Sequence, residues 1–200
     1  MVLASHVIFG AYGFWLPNDP RGSWSDFVGA WELFRYGPAS KTDARHSVAA
    51  APHDRQRRYA AKRALNLPAV QLTGIQARAV GRGFAQYVER AGLIVWACAI
   101  LPDHVHLVLQ RHSLHVEQLV IQLKGAATES LVAEAIHPFA SHVSAGERPP
   151  KCFARGEWKV FLNTPTDILR AIRYVEQNPL KEHKHLQRWP FVAPFDHPAA

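Results

Sequence analysis

The chain has 200 residues, enough for one domain with a real core, and its 48 % apolar content excludes a disordered chain. No run approaches the roughly 18–20 apolar residues of a membrane span. The apolar start has no basic n-region, and Cys98 and Cys152 stand far apart in no metal-type spacing, which leaves neither signal peptide, disulfide scaffold nor zinc module and points to a reducing cytoplasm.

Lysine and arginine outnumber acids 23 to 16, for a net charge of +7, a balance suited to a partner made of phosphates. In chain order, His6 to Phe14 is rich in Val, Ile, Phe and Tyr and reads as a strand that stops before Pro17. From about 17 to 70 the texture turns to Pro, Gly, Ser, Asp, Arg and Trp. About fifty residues is too long for a plain loop in a compact domain, so this is an insertion carrying short helices and exposed arginines.

A helix follows over 73–92. Thr73 to Gln76 has the form of a capping box, Gly92 is placed to end the helix, and Ile75, Val80, Phe84, Tyr87, Val88 and Ala91 recur at helical spacing. Ile94 to Leu101 is an apolar run suited to a strand covered on both faces. After the break at Pro102-Asp103, His104 to Gln110 alternates as a second strand, so the two form a hairpin. Val116, Leu119, Val120, Leu123, Ala127 and Leu131 mark another helix.

A strand at Trp158–Leu162 leads to Thr164 as cap, Pro165 at the first helical position and Asp167 in the first turn. This last helix is expected to run to about Asn178, with Pro179 stopping it. Apart from the insertion, the order is β-α-β-β-α-β plus one helix. That is an α+β, ferredoxin-like antiparallel sheet with two helices on one face, the extra helix being free to cover the other.

His104 and His106 are two apart on a strand, so both side chains leave one face, and Val105, Leu107 and Leu109 leave the other. Two neighbouring imidazoles can chelate a divalent ion. A histidine pair that merely decorates a strand is the plain alternative. On the last helix the apolar stripe is Ile168, Ile172 and Val175. Tyr174 lies off that stripe, with Arg170 and Asn178 as its i±4 neighbours, although a tyrosine at the edge of a core is an ordinary thing. Taken together, a metal bound by His104, His106 and the Asn178 amide oxygen can polarise a phosphodiester while the Tyr174 hydroxyl attacks phosphorus. Free tyrosine is only about 0.1 % ionised at neutral pH, so metal and nearby cations must favour the phenolate.

The segment LPDHVHLVL resembles the His-hydrophobic-His motif of the HUH endonucleases, and RYVEQNPLK resembles the nucleophile helix of their single-tyrosine transposase branch. With AYGFWLPNDPRGSW, LTGIQARAV and LKGAAT in that order, most of the chain is similar to the REP-associated tyrosine transposases. The resemblance implies a Mg²⁺- or Mn²⁺-dependent enzyme acting on single-stranded DNA folded into hairpins. Cleavage would leave a 5′-phosphotyrosine on Tyr174 and a free 3′-hydroxyl. It also implies His104 and His106 as the metal pair, with the third ligand one turn after the tyrosine, at Asn178, and Gln177 in reserve. It leaves monomer and homodimer both open.

Candidate DNA contacts are Arg21 and Trp24 in the PNDPRGSW turn, Arg55, Arg57 and Arg58, Lys124, Arg170, Arg173 and Lys181, each set against a plain solvated charge or loop anchor. Three other readings stand beside this one. A replication or plasmid-transfer nickase would use the same metal and tyrosine, and a non-catalytic nucleic-acid-binding domain would carry aromatics on its central strands. In a metal-dependent phosphoesterase, water would be the nucleophile.

Overall fold

The computed structural model describes residues 1–17, 19, 31–37, 52–144 and 146–196. Four strands, β1 (Ala4–Gly10), β2 (Val95–Ile100), β3 (His104–Gln110) and β4 (Trp158–Leu162), form one antiparallel sheet in the order β2-β3-β1-β4. Leaving aside residues 17–70, α2 (Gly74–Ala91) follows β1, α3 (Val116–Ala133) follows β3 and α4 (Pro165–Lys181) follows β4. This is the expected ferredoxin-like arrangement with one added helix.

Side-chain alternation divides the sheet into two cores. On one face Val7, Phe9, Leu107 and Leu109 pack with Phe84 and Tyr87 of α2 and Leu119 and Leu123 of α3. The two helices meet closely because Gly83 has no side chain: a Cβ there would stand 2.4 Å from the Ala126 carbonyl oxygen. On the other face Ala4, Ala97, Ala99 and Val108 meet Ile168, Ala171, Ile172 and Val175 of α4. Small residues on the sheet let this helix lie low. β2 is an edge strand, and the C-terminal segment covers its open backbone. The Gln187 side chain both accepts from Ile100 N and donates to Ile100 O, and Ala193 N donates to Val95 O at 2.8 Å.

The local signals that set these helices are the expected ones. Thr73 and Gln76 form a reciprocal capping box, and Gly92 closes α2 at φ 61°. Thr164 caps α4 through Asp167 N, with Pro165 in its first turn. Two expectations need correction. Ile75 is 58 % exposed and belongs to no core; at about 100° per residue it lies on the opposite side of α2 from Val80, Phe84 and Tyr87. Helix α4 does not stop at Asn178 but carries Pro179 inside it and ends at Lys181. A proline at that point forfeits the bond to the carbonyl four residues back, a cost that a final turn bears more easily than a helix middle.

Of the insertion, a 3₁₀ stretch (Trp31–Tyr36) and α1 (Arg55–Arg63) are described, with Asp54 capping α1 by accepting from Arg57 N at 2.9 Å. Leu16, Leu33 and Ala61 make a small separate core there. Arg21 and Trp24 lie outside the described residues. Cys98 and Cys152 are both buried thiols. Among the described residues no helix is long and apolar enough to cross a membrane.

Candidate active site

The face of β3 that α4 covers carries His104 and His106, both buried, with ring centroids 4.8 Å apart at 70°. His106 is engaged at both ring nitrogens. Its Nε2 lies 2.7 Å from Asn178 Nδ2 on α4, and its Nδ1 lies 3.2 Å from Nε2 of His6 on β1. His104 Nδ1 lies 2.7 Å from Asp103 Oδ1, and the Phe14 ring stacks on that imidazole at 4.7 Å.

Burial pushes His6 down to about 4. Burial, and then repulsion from His104, His6 and Lys181, hold His106 well below its ordinary value. At pH 7 both are neutral imidazoles, the form that ligates metals.

Tyr174 is 39 % exposed while the neighbouring Val175 is fully buried, so α4 turns the phenol along the border between core and solvent. Its ring centroid lies 5.7 Å from that of His106 and 5.6 Å from that of His6. The Asn178 side chain, one turn further on, meets His106. Burial raises the phenol pKa, and the Asn178 hydrogen bond opposes it. Lys181 Nζ sits 4.1 Å from the ring centroid, a cation–π contact that places positive charge beside the phenol.

The structure thus brings His104, His106, Tyr174, Asn178 and Lys181 together. Gln177, the reserve ligand, is exposed beside the buried Asn178. Arg170 and Arg173 are exposed on α4 in the two turns around the tyrosine. A cleft of about 320 Å³ beside His104 is lined by Phe14 and Asp103 and, from α1, by Arg58 and Lys62. Arg57 instead donates to the Arg35 carbonyl at 3.3 Å, and Arg55 is exposed at the start of α1.

Lys124, expected as a DNA contact, is turned inward. Its ammonium donates to the Ala154 and Gly156 carbonyls at 2.9 and 2.6 Å and lies over the Phe9 ring, and burial lowers it to about 8. It pins the loop before β4 to α3, on the sheet face that α2 and α3 cover, away from the histidines.

Sequence reasoning missed four neighbours of the site. His6 stands among apolar residues on β1, and only strand register shows that it faces His106. In the sequence Asp103 belongs to a break between strands and Phe14 to a strand end, and neither position signals contact with His104. Glu182, two turns beyond Tyr174, lies past the proline expected to end the helix. Asp103, His104 and Glu182 each place one donor atom within 4.8 Å of the others.

No family model matches the sequence, and no curated protein matches it. Among solved structures the fold is similar to that of a REP-associated tyrosine transposase bound to a REP hairpin. That similarity covers 96 % of this chain and 76 % of the other, with a TM-score of 0.48 and 11 % identity. A candidate transposase from Deinococcus radiodurans R1 covers 94 % of each chain at a TM-score of 0.36 and 14 % identity.

Proposed function

We propose that this protein is a DNA transposase and endonuclease that cleaves and rejoins single-stranded hairpin DNA through a 5′-phosphotyrosine on Tyr174, with Mg²⁺ or Mn²⁺ at the histidine pair. One observation carries the reading: helix α4 sets the Tyr174 ring 5.7 Å from that of His106, and Asn178, one turn further on, meets His106 Nε2 at 2.7 Å.

The donors fit a divalent ion. Two imidazoles stand side by side, with amide and carboxylate oxygens in reach. His104, His106 and Asn178 would hold it. Asn178 meets His106 with its nitrogen, and a half-turn of the nearly isosteric amide presents the oxygen. Asp103 and Glu182 offer carboxylates at His104, which compensate for the weak pull of a neutral amide. When bound, the metal supplies Lewis acidity at a phosphodiester oxygen.

The Tyr174 oxygen attacks phosphorus and loses its proton, the bond from phosphorus to the 3′-oxygen breaks, and that oxygen takes up a proton. Phosphate stays esterified to the tyrosine on its 5′ side. Attack by a 3′-hydroxyl reverses these steps and rejoins the strand. Lys181 over the ring favours the phenolate against the effect of burial. Arg170 and Arg173 flank the phenol where phosphates of the bound strand would run, and Arg58 and Lys62 line the cleft beside His104.

A ferredoxin-like module that binds nucleic acid on an open sheet face is disfavoured, because helices cover both faces of this sheet. The test is incubation of the protein with end-labelled hairpin DNA with Mn²⁺ or with EDTA. The proposal expects nicking only with the metal and products bearing extendable 3′-hydroxyls. Binding without nicking under any divalent metal favours the non-catalytic reading. Nicking that survives Tyr174→Phe makes water the nucleophile.

A further inference from the structure

We propose that His6 is a positioning residue for the histidine pair: its Nε2 accepts the Nδ1 proton of His106 and so fixes His106 in the tautomer whose Nε2 lone pair points at Asn178. The inference rests on the proposed metal reading for its purpose, although the tautomer it assigns does not depend on a metal.

The argument starts from register. β1 and β3 are antiparallel, with Ile8 opposite His106 and His6 opposite Val108. His6 is therefore the diagonal neighbour of His106, and a diagonal pair lies about 7–8 Å apart at the backbone, within reach of two rings. The imidazoles lie 20° from parallel, with centroids 5.4 Å apart and facing nitrogens at 3.2 Å.

A neutral imidazole has one N–H and one lone pair. Asn178 Nδ2 can only donate, so the His106 Nε2 that it meets at 2.7 Å must be the lone-pair nitrogen. The His106 proton is then on Nδ1, and His6 Nε2 is its acceptor. The same tautomer suits an ion, since replacing the amide N–H by a cation leaves the Nε2 lone pair where it was.

His6 is itself restrained. The Trp158 ring meets it edge-on at 5.5 Å and 82°, and the Tyr174 ring meets it at 5.6 Å and 65°. A residue that filled space on this face could be any apolar ring. The nitrogen-to-nitrogen contact is what distinguishes a histidine here. An outer partner that orients a ligating histidine typically changes metal affinity 10–100-fold when removed.

Two measurements test the assignment. In the metal-free wild type, long-range ¹⁵N–¹H correlation of the imidazoles is expected to show His106 protonated at Nδ1. Protonation at Nε2 would overturn the proposal whatever the protein binds. Second, Mn²⁺ affinity by electron paramagnetic resonance should fall about 10–100-fold in His6→Phe and recover in His6→Gln, whose carbonyl can accept the same proton. Equal affinity in all three proteins, with only thermal stability altered, would make His6 a packing residue. If the wild type binds no Mn²⁺, the metal reading fails and the nitrogen correlation still decides the role of His6.

Discussion

Acidification from pH 7 to pH 5 should weaken the fold through the site histidines. A neutral histidine buried in the folded state but free to protonate when unfolded binds fewer protons folded than unfolded, so stability falls as pH drops below the unfolded pKa. His6 is held at about 4 by burial, against an ordinary value near 6.5. Its contribution is therefore nearly intact at pH 7, declines through the window from about 6.5 to 4, and is fully lost below that.

At pH 5 the fold has forfeited about 2 kcal/mol from this group, at about 1.4 kcal/mol per pH unit. His106 and His137 shift downward too and act in the same direction. The lowered carboxylates of Glu134 and Asp167 titrate below this window, so the range between pH 5 and 7 isolates the histidines. Urea unfolding in EDTA at several pH values reads the effect. A loss of at least about 2 kcal/mol is expected, with a shallower slope in His6→Gln. Stability that stays flat from pH 7 to 5, or a slope unchanged by His6→Gln, would refute the reasoning.

Gly83→Ala should destabilise by about 1–3 kcal/mol in thermal unfolding, because its Cβ meets the Ala126 carbonyl. Gly74→Ala, where a Cβ meets nothing within 4 Å, should be neutral or mildly stabilising. Thr73→Ala removes the α2 capping box and should cost about 1 kcal/mol by urea denaturation. Asn178→Ala should reduce hairpin cleavage and Mn²⁺ affinity, whereas Gln177→Ala, on the exposed flank, should leave both near wild type.

The architecture was legible in the sequence because its signals are local. A capping box, a C-cap glycine, a proline after a threonine cap and alternation along HVHLVLQ each mark an element without reference to the rest of the chain. The histidine pair and the tyrosine were legible for the same reason, since strand and helix periodicity place them on particular faces. The rest of the site depends on what lies across the sheet. Whether His6 faces His106 is decided by the β1–β3 register, and Phe14 reaches His104 only because the chain turns after β1. Glu182 was hidden by Pro179, a stop signal that the final turn of α4 tolerates. Lys124 looked like a phosphate contact because sequence cannot show two carbonyls waiting inside the fold.

The most direct test of the central claim is a search for the covalent intermediate. The protein is incubated with hairpin DNA and Mn²⁺, the label lying on the 3′ side of the cleavage point, then resolved on a denaturing gel, with Tyr174→Phe run alongside. The account predicts label migrating with the wild-type protein and none with the variant. Cleavage with no protein-bound label, or a labelled band that persists in Tyr174→Phe, would contradict it.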